Sequence, residues 1–210
     1  MNQQQFQRAA GISAGLAARW YPHVSAALKE FGISSPADVA MFIAQIGHES
    51  GGFKRLVESL NYAADRLVPV FGRHRITEQQ ALALGRTAGQ QANQKAIANL
   101  VYGGEWGKEN LGNRAPGDGW KYRGRGLKQI TGRTNYLDCG IALKIDLVAN
   151  PELLEQDSYA ARSAAWFYSA KGCLRYTGNL SRVTRIINGG ANGLSARRRK
   201  FGLALSALTG

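Results

Sequence analysis

The sequence predicts a mostly α-helical fold with one minor β element, and three observations support this. Apolar residues recur at helical spacing in several segments, glycines and helix caps separate those segments, and only two short stretches alternate like strands. The chain has 210 residues, of which 44% are hydrophobic and 20% are charged. That length and composition suffice for the buried core of one large domain.

Two helices are predicted in the first quarter of the chain. Residues 16–31 form an amphipathic pattern that ends at Gly32. A second helix starts with Ser35 as N-cap and Pro36 in the first turn, and the glycine pair 51–52 ends it. Its apolar positions follow the spacing i, i+3, i+4, i+7 of one buried face. They are Val39, Phe42, Ile43 and Ile46.

Three further helices are predicted near the C-terminus, over residues 159–168, 180–187 and 196–208. The strand-like alternation is confined to residues 53–60 and 126–130, which are long enough only for a minor β-hairpin.

The segment 77–111 differs in composition, because alanine, glutamine and asparagine are frequent there and large aliphatic residues are few. Such a segment buries little area, so we interpret it as a small inserted helical subdomain in a main module of residues 1–76 and 112–210. The alternative is that this segment forms part of the main core.

The charge of the chain restricts its partners. Lysine and arginine number 27 against 14 acidic residues, a net charge of +13, which favours an anionic partner such as nucleic acid, a membrane surface or an acidic wall polymer. No apolar run approaches the roughly 20 residues of a membrane-spanning helix, so stable membrane insertion is not expected. The polar start at residues 1–5 is unlike a signal peptide, and synthesis in a cytoplasm is therefore expected.

Glu49 is the first candidate catalytic residue. It lies at the edge of the apolar stripe and at the C-terminal end of its helix, where the dipole is negative. Partial burial and that dipole both disfavour the ionised carboxylate, and a carboxyl that stays protonated is what a general acid requires. An ordinary surface glutamate at a helix end is the alternative.

Glu58 is the second candidate, nine residues further along the chain. Lys54 and Arg55 are close in sequence and favour its ionised form, so Glu49 and Glu58 could be the acid and base of a glycosidase. A metal site is not expected, because His48 and Glu49 lack the second histidine of a zinc protease helix. Cys139 and Cys173 are expected to be reduced and semi-buried, and no cofactor is predicted.

Polar residues after a glycine-rich loop are the third candidate group. Gln129, Thr131 and Asn135 could offer amide and hydroxyl groups to a sugar or a water, although a polar loop explains them equally. Asn188 ends a helix beside glycines, which also fits a simple helix cap. The basic run 197–200 is typical of a solvated face that contacts anions.

Four segments in order resemble glycoside hydrolase family 19, in its phage endolysin branch. The third of them is the most specific, and the similarity extends over about residues 15–205. The segments are 42–53 (FIAQIGHESGGF), 58–65 (ESLNYAAD), 117–132 (GDGWKYRGRGLKQITG) and 186–190 (IINGG).

The resemblance implies a lysozyme-like helical fold with a groove for an aminosugar polymer. It implies that Glu49 is the general acid, Glu58 the general base of an inverting reaction, and Thr131 the residue that helps hold the attacking water. Substrate contacts are implied for six further residues: His48, Tyr122, Gln129, Asn135, Asn188 and Arg198.

The leading hypothesis is an endolysin that cuts the β-1,4 bond between N-acetylmuramic acid and N-acetylglucosamine in peptidoglycan and so lyses the host. Its partner would be the glycan strand, and the protein would be a monomer held in the host cytoplasm until a holin opens the inner membrane. A chitinase and a lytic transglycosylase are the enzymatic alternatives. A nucleic-acid-binding protein, suggested by Arg123-Gly124-Arg125-Gly126, and an inactive wall-binding module belong to other classes.

Overall fold

Twelve α-helices make up most of the protein, which the computed structural model describes from Met1 to Gly210. The mostly helical class predicted from the sequence is therefore confirmed. None of the helices combines the length and apolarity needed to cross a bilayer. The helices are α1 (Gln3–Ala10), α2 (Ala14–Glu30), α3 (Pro36–Glu49), α4 (Ala64–Phe71), α5 (Glu78–Leu84), α6 (Gln94–Val101), α7 (Gly104–Leu111), α8 (Asp118–Lys121), α9 (Arg133–Leu143), α10 (Asp157–Ala170), α11 (Leu180–Asn188) and α12 (Leu194–Thr209), with short 3-10 helices at Pro151–Glu155 and Cys173–Tyr176.

The two segments expected to form a β-hairpin contain isolated bridges and no extended strand. Val57 and Ile130 each form an antiparallel bridge with Arg125. The chain turns before residue 57, because Phe53 adopts a φ of 63° and its N–H donates to Ser50 Oγ at 2.8 Å. The alternating pattern at these residues arises from burial within a turn. The predicted hairpin is not formed, and single bridges take its place.

Local sequence explains where α3 begins and ends. Ser35 Oγ accepts a hydrogen bond from the N–H of Asp38 at 3.1 Å, and Pro36 occupies the first turn, as predicted. At the other end, Ser50 Oγ donates to the carbonyl of Ile46 at 2.7 Å. These contacts fix Glu49 as the last residue of the helix.

The first of two compact units comprises residues 1–56, 126–129 and 152–210. It has its own apolar core, to which α1, α2, α3, α10, α11 and α12 all contribute. The indole N–H of Trp20, a fully buried residue, donates to the carbonyl of Phe53 at 2.9 Å. Each large apolar side chain buried in this way contributes about 1.5–3 kcal/mol to folding.

Two ion pairs join α2 to α10 within this unit. Arg19 donates to Asp157 at 2.7 Å, and Arg162 donates to Glu30, also at 2.7 Å. In both pairs the arginine uses two nitrogens on the two carboxylate oxygens. This bidentate geometry orients the two helices along each other.

The second compact unit comprises residues 57–125 and 130–151 and has a separate core. The predicted insertion 77–111 lies inside this unit together with residues 57–76. Its buried apolar residues share one cluster with residues that precede it, so the compact unit is larger than the predicted insertion. The cluster consists of Leu60, Leu67, Phe71, Ile76, Ala81, Ile97, Ala98 and Val101.

Candidate active site

Helix α3 carries Glu49 at its C-terminal end, in the first unit. Every residue of α3 from Asp38 to Gly47 is buried, whereas the side chain of Glu49 is 18% exposed. The helix is thus a rigid support, and it presents one partly accessible carboxylate at its last turn.

Arg197 of α12 forms a salt bridge with Glu49. Its Nη2 donates to Glu49 Oε1, and only 2% of the arginine side chain is exposed. From the sequence we considered only burial and the helix dipole at Glu49, and the structure adds this buried cation.

Buried hydrogen bonds hold Arg197 in place. Its Nη1 donates to Gln45 Oε1 at 2.6 Å, and its Nε donates to the carbonyl of Asn192 at 3.2 Å. Gln45 is itself fixed, because its Nε2 donates to Thr184 Oγ1 at 2.8 Å. The guanidinium is therefore oriented by α3, α11 and the loop before α12.

Arg197 is a functional candidate that we did not single out from the sequence. It belongs to the basic run 197–200, which we interpreted as a solvated face. A signal was present, because Leu194, Arg197, Phe201 and Ala204 follow the spacing of one helix face. An arginine on an apolar face indicates a buried ionic partner.

His48 packs beside the same group of charges. A Cβ at Gly193 would lie 2.6 Å from His48 Nε2, so the imidazole contacts the backbone of the loop before α12. Burial lowers the pKa of His48, and the positive charge of Arg197 lowers it further, against the opposing effect of Glu49. The ring is therefore neutral at neutral pH.

Lys128 also lies within electrostatic range of Glu49. It belongs to the turn that follows Gly126, and its Nζ is 4.6 Å from the centroid of the Phe167 ring. Burial lowers the pKa of Lys128, and Arg197 lowers it further, while Glu49 acts in the opposite direction. Arg197 therefore provides the positive charge next to Glu49, whereas burial disfavours the charged form of Lys128.

Glu58 lies in the second unit and is held at both its backbone and its side chain. Its N–H donates to the carbonyl of Gly124 at 2.9 Å, and its Oε1 accepts from the N–H of Gly124 at 2.5 Å. Its Oε2 accepts from the hydroxyl of Tyr102 at 2.9 Å. Both oxygens of the carboxylate therefore accept a hydrogen bond.

The donor Tyr102 lies in a partly buried aromatic cluster. Its ring meets Phe71 edge-on at 6.0 Å, and Phe71 meets Tyr62 at 5.3 Å. Burial raises the pKa of Tyr102, and the neighbouring Glu58 raises it further. The phenol is therefore neutral and acts as a donor to Glu58.

The predicted polar candidates are distributed over both units. Thr131 and Asn135 lie in the second unit, where Asn135 Nδ2 donates to the carbonyl of Thr131 at 2.7 Å. Gln129 belongs to the first unit and adopts a φ of 59°, with its N–H donating to Gly126 O at 3.1 Å.

Asn188 is the last residue of α11, and the left-handed Gly189 caps that helix, as the structural interpretation predicted. Its Nδ2 is buried and has no hydrogen-bond partner in the protein. A polar atom of this kind is satisfied by water or by a ligand.

Of two residues predicted to contact substrate, Tyr122 is buried and Arg198 is exposed. Tyr122 is only 2% exposed, packs 5.4 Å from the Tyr136 ring and donates its hydroxyl to the carbonyl of Val148. Its ring lies in the interior, and a contact between Tyr122 and a sugar stays a prediction. Arg198 is exposed on α12.

Trp106 of α7 and Trp120 of α8 each stack against an arginine. Arg75 lies 4.2 Å from the centroid of the Trp106 ring, and Arg123 lies 3.8 Å from that of Trp120. Each stack combines an apolar face with a positive charge. No group of three metal-ligating side chains occurs in the structure.

Comparison of the sequence with known proteins identifies relatives over most of the chain. Residues 110–175 match the family described as chitinase class I, glycoside hydrolase family 19. A Haemophilus influenzae protein described as a glycosyl hydrolase family 19 domain-containing protein is 36% identical over 182 residues, which are 86% of this chain and 85% of the relative. Chitinase 8 of Oryza sativa is 46% identical over 48 residues, 22% of this chain and 18% of that protein.

Solved structures show the same fold. A bacterial family 19 chitinase matches with a TM-score of 0.63 at 20% identity, covering 99% of this chain and 94% of the other. Chitinase C from Streptomyces griseus matches with a TM-score of 0.60 at 19% identity, covering 99% of this chain and 76% of the other. These matches confirm the lysozyme-like helical fold that the sequence resemblance implied.

Proposed function

The chain belongs to glycoside hydrolase family 19, and from that membership we propose that it hydrolyses the β-1,4 bond between N-acetylmuramic acid and N-acetylglucosamine in bacterial peptidoglycan. The protein is a glycosidase. The choice of peptidoglycan, the phage origin and the role in host lysis are the parts that we propose.

The observation that carries the proposed mechanism is the environment of Glu58. The N–H of Gly124 and the hydroxyl of Tyr102 each donate to one oxygen of its carboxylate. The two donors hold the carboxylate in one orientation, and a carboxylate held in this way is suited to act as a general base. Glu58 would remove a proton from the attacking water, while Thr131 helps to position that water.

Glu49 takes the role of general acid in this proposal. Arg197 donates to its Oε1, so a proton on Glu49 would reside on Oε2. That proton would pass to the glycosidic oxygen as the bond to the leaving sugar breaks. The neutral His48 and the unpartnered amide of Asn188 would contact the sugar, as would Gln129, Asn135 and Arg198.

The net charge of +13 suits a polyanionic wall polymer. Peptidoglycan carries peptide carboxylates, and the positive charge of the protein would speed encounter with it. Such steering weakens as salt shortens the Debye length. We therefore propose that wall hydrolysis falls with increasing ionic strength.

The biological role that we propose is that of a phage endolysin. The protein would act as a monomer, accumulate in the host cytoplasm and reach the periplasmic wall after a holin opens the inner membrane. The resemblance to the endolysin branch of the family supports this role. Expression in a Gram-negative host should cause lysis only when the inner membrane is permeabilised, and lysis without permeabilisation would contradict the proposed release route.

Digestion of purified murein tests the reaction. Hydrolysis with inversion should release new reducing ends, each initially formed as the α-anomer. A 1,6-anhydro product, seen by mass spectrometry, would instead indicate a lytic transglycosylase. The plant chitinase matches favour chitin as a second candidate substrate, and a preference for chitooligosaccharides over murein would establish it.

Substitutions test the two roles in the same assay. Glu49→Gln and Glu58→Gln should each reduce the rate by at least about a hundredfold, since each removes one partner of general acid–base catalysis. Glu109→Gln, on the exposed face of α7, is the matched control and should keep full activity. Full activity of either catalytic variant would refute the assigned role.

A further inference from the structure

The contact between Tyr102 and Glu58 lies in a segment to which we had assigned no chemistry. We propose that Tyr102 is a positioning residue, which fixes the carboxylate of Glu58 in the orientation that the reaction needs. This inference rests on the proposed function of Glu58 as the base.

The hydrogen bonds of Glu58 show what Tyr102 adds. The backbone N–H of Gly124 engages only Oε1, and the hydroxyl of Tyr102 engages Oε2 at 2.9 Å. With one donor alone, the carboxylate could rotate about its last side-chain bond. The second donor removes that rotation and aligns the plane of the carboxylate before substrate arrives.

Contacts of both the ring and the backbone of Tyr102 fix the position of its hydroxyl. The ring packs edge-on against Phe71, which belongs to the core of the second unit. The carbonyl of Tyr102 accepts from Asn113 Nδ2 at 2.8 Å, and Asn113 Oδ1 accepts from the N–H of Arg133 at 2.9 Å. Asn113 is only 4% exposed, so this link between α6 and α9 is part of the interior.

Two further phenols lie near Glu58. Tyr62, in the chain segment before α4, and Tyr136 of α9 lie within electrostatic range of it, and burial raises the pKa of both phenols. Arg75 lies within range of Tyr102 itself and favours its ionised form, against the effect of burial. Since all three phenols remain neutral, the contribution of Tyr102 is its hydrogen bond.

In this proposal, the junction between α6 and α7 contributes to catalysis because it positions the carboxylate of Glu58. Tyr102 connects the segment 77–111 to the base through its hydrogen bond to Glu58. A change in the packing of Tyr102 would alter the rate without altering the affinity for substrate.

The test compares Tyr102→Phe with Tyr62→Phe on soluble fragments of the substrate. Tyr102→Phe keeps the ring and removes the donor, so kcat should fall about tenfold, as expected for loss of a hydrogen bond to a charged group, while KM stays unchanged. The acid limb of the pH–rate profile should move to higher pH, because the ionised carboxylate loses a donor. Tyr62→Phe removes a hydroxyl from the same cluster and should keep the kcat and pH profile of the wild type.

A second variant strengthens the donor. A tyrosine carrying fluorine next to the hydroxyl is a better donor, so its incorporation at position 102 should move the acid limb to lower pH. This variant keeps the ring and the hydroxyl, and it provides a measurement if Tyr102→Phe does not fold.

The outcomes distinguish failure of the proposed function from failure of the role of Tyr102. Full activity of Glu58→Gln would refute the proposed function itself. If Glu58→Gln is inactive, then wild-type kcat and pH profile in Tyr102→Phe would overturn the role of Tyr102. An equal loss in Tyr62→Phe, or a lower kcat with an unmoved acid limb, would show that the cluster is structural only.

Discussion

The buried guanidinium of Arg197 lies against the partly exposed carboxylate of Glu49, so that a charge from α12 sits directly at the end of α3. Arg197 is 2% exposed and Glu49 is 18% exposed. Water therefore reaches one member of the pair and scarcely reaches the other. The contact with the carboxylate offsets the free-energy cost of burying the charge of the arginine.

The first prediction concerns removal of this charge. Arg197→Met should lower the free energy of unfolding by about 2–4 kcal/mol, because Gln45 loses its donor and Glu49 loses its counter-ion. Activity should fall as well, since the carboxyl of Glu49 is no longer held. Chemical denaturation and murein turnover measure the two effects. The control Arg198→Met is exposed on α12, and an equal loss of stability in it would contradict the assignment.

The second prediction concerns Lys128, a buried lysine within electrostatic range of Glu49. Lys128→Met removes an amine that, in its charged form, opposes protonation of a neighbouring acid. The alkaline limb of the pH–rate profile should therefore move to higher pH. Lys171→Met is the matched control, because Lys171 is exposed and lies 5.8 Å from the same Phe167 ring. An unchanged alkaline limb in Lys128→Met would show that its charge does not reach the acid.

The third prediction uses the loop before α12. Gly193 has a φ of 70°, and a Cβ there would lie 2.6 Å from His48 Nε2. Gly193→Ala should cost about 1–2 kcal/mol of stability through backbone strain. It should also displace His48 towards solvent. Because burial lowers the pKa of His48 in the native protein, the pKa should then rise, as NMR titration of the imidazole would show. Gly190→Ala, with open space around the new Cβ, should change neither quantity.

The fourth prediction concerns the ion pairs that join α2 to α10. Hydrogen bonds from Arg162 and Arg19 hold the pKa values of Glu30 and Asp157 below their ordinary range. Each pair therefore stabilises the fold above the unfolded-state pKa and loses that effect as pH falls through the lowered, folded-state pKa. The pairs are partly exposed, so each contributes less than about 1 kcal/mol. Glu30→Gln and Asp157→Asn should lower Tm slightly at neutral pH and leave it unchanged in strong acid. A Tm difference that persists in acid would exclude this origin.

Local features of the site could be predicted from the sequence. The start of α3 at Ser35 and Pro36, and the position of Glu49 at its end, depend on caps and periodicity within a few residues. The same holds for Asn188, whose helix ends at a left-handed glycine. Such features follow from neighbouring residues alone.

Contacts between distant parts of the chain could not be predicted in this way. Tyr102 is 44 positions from Glu58, and Arg197 is 148 positions from Glu49. Neither spacing carries a periodic signal. The burial of Tyr122 is a further example, since it depends on Tyr136 and Val148, which local composition does not reveal.

The buried side chain of Gln45 links three helices, because it accepts from Arg197 and donates to Thr184. An apolar residue at any one of these positions would strand a polar group of the other two in a dry interior. Substitutions that the protein tolerates at these three positions should therefore occur together. In a library that randomises the three codons together, active clones should retain a complete donor–acceptor set or replace the whole set, and singly apolar combinations should be depleted.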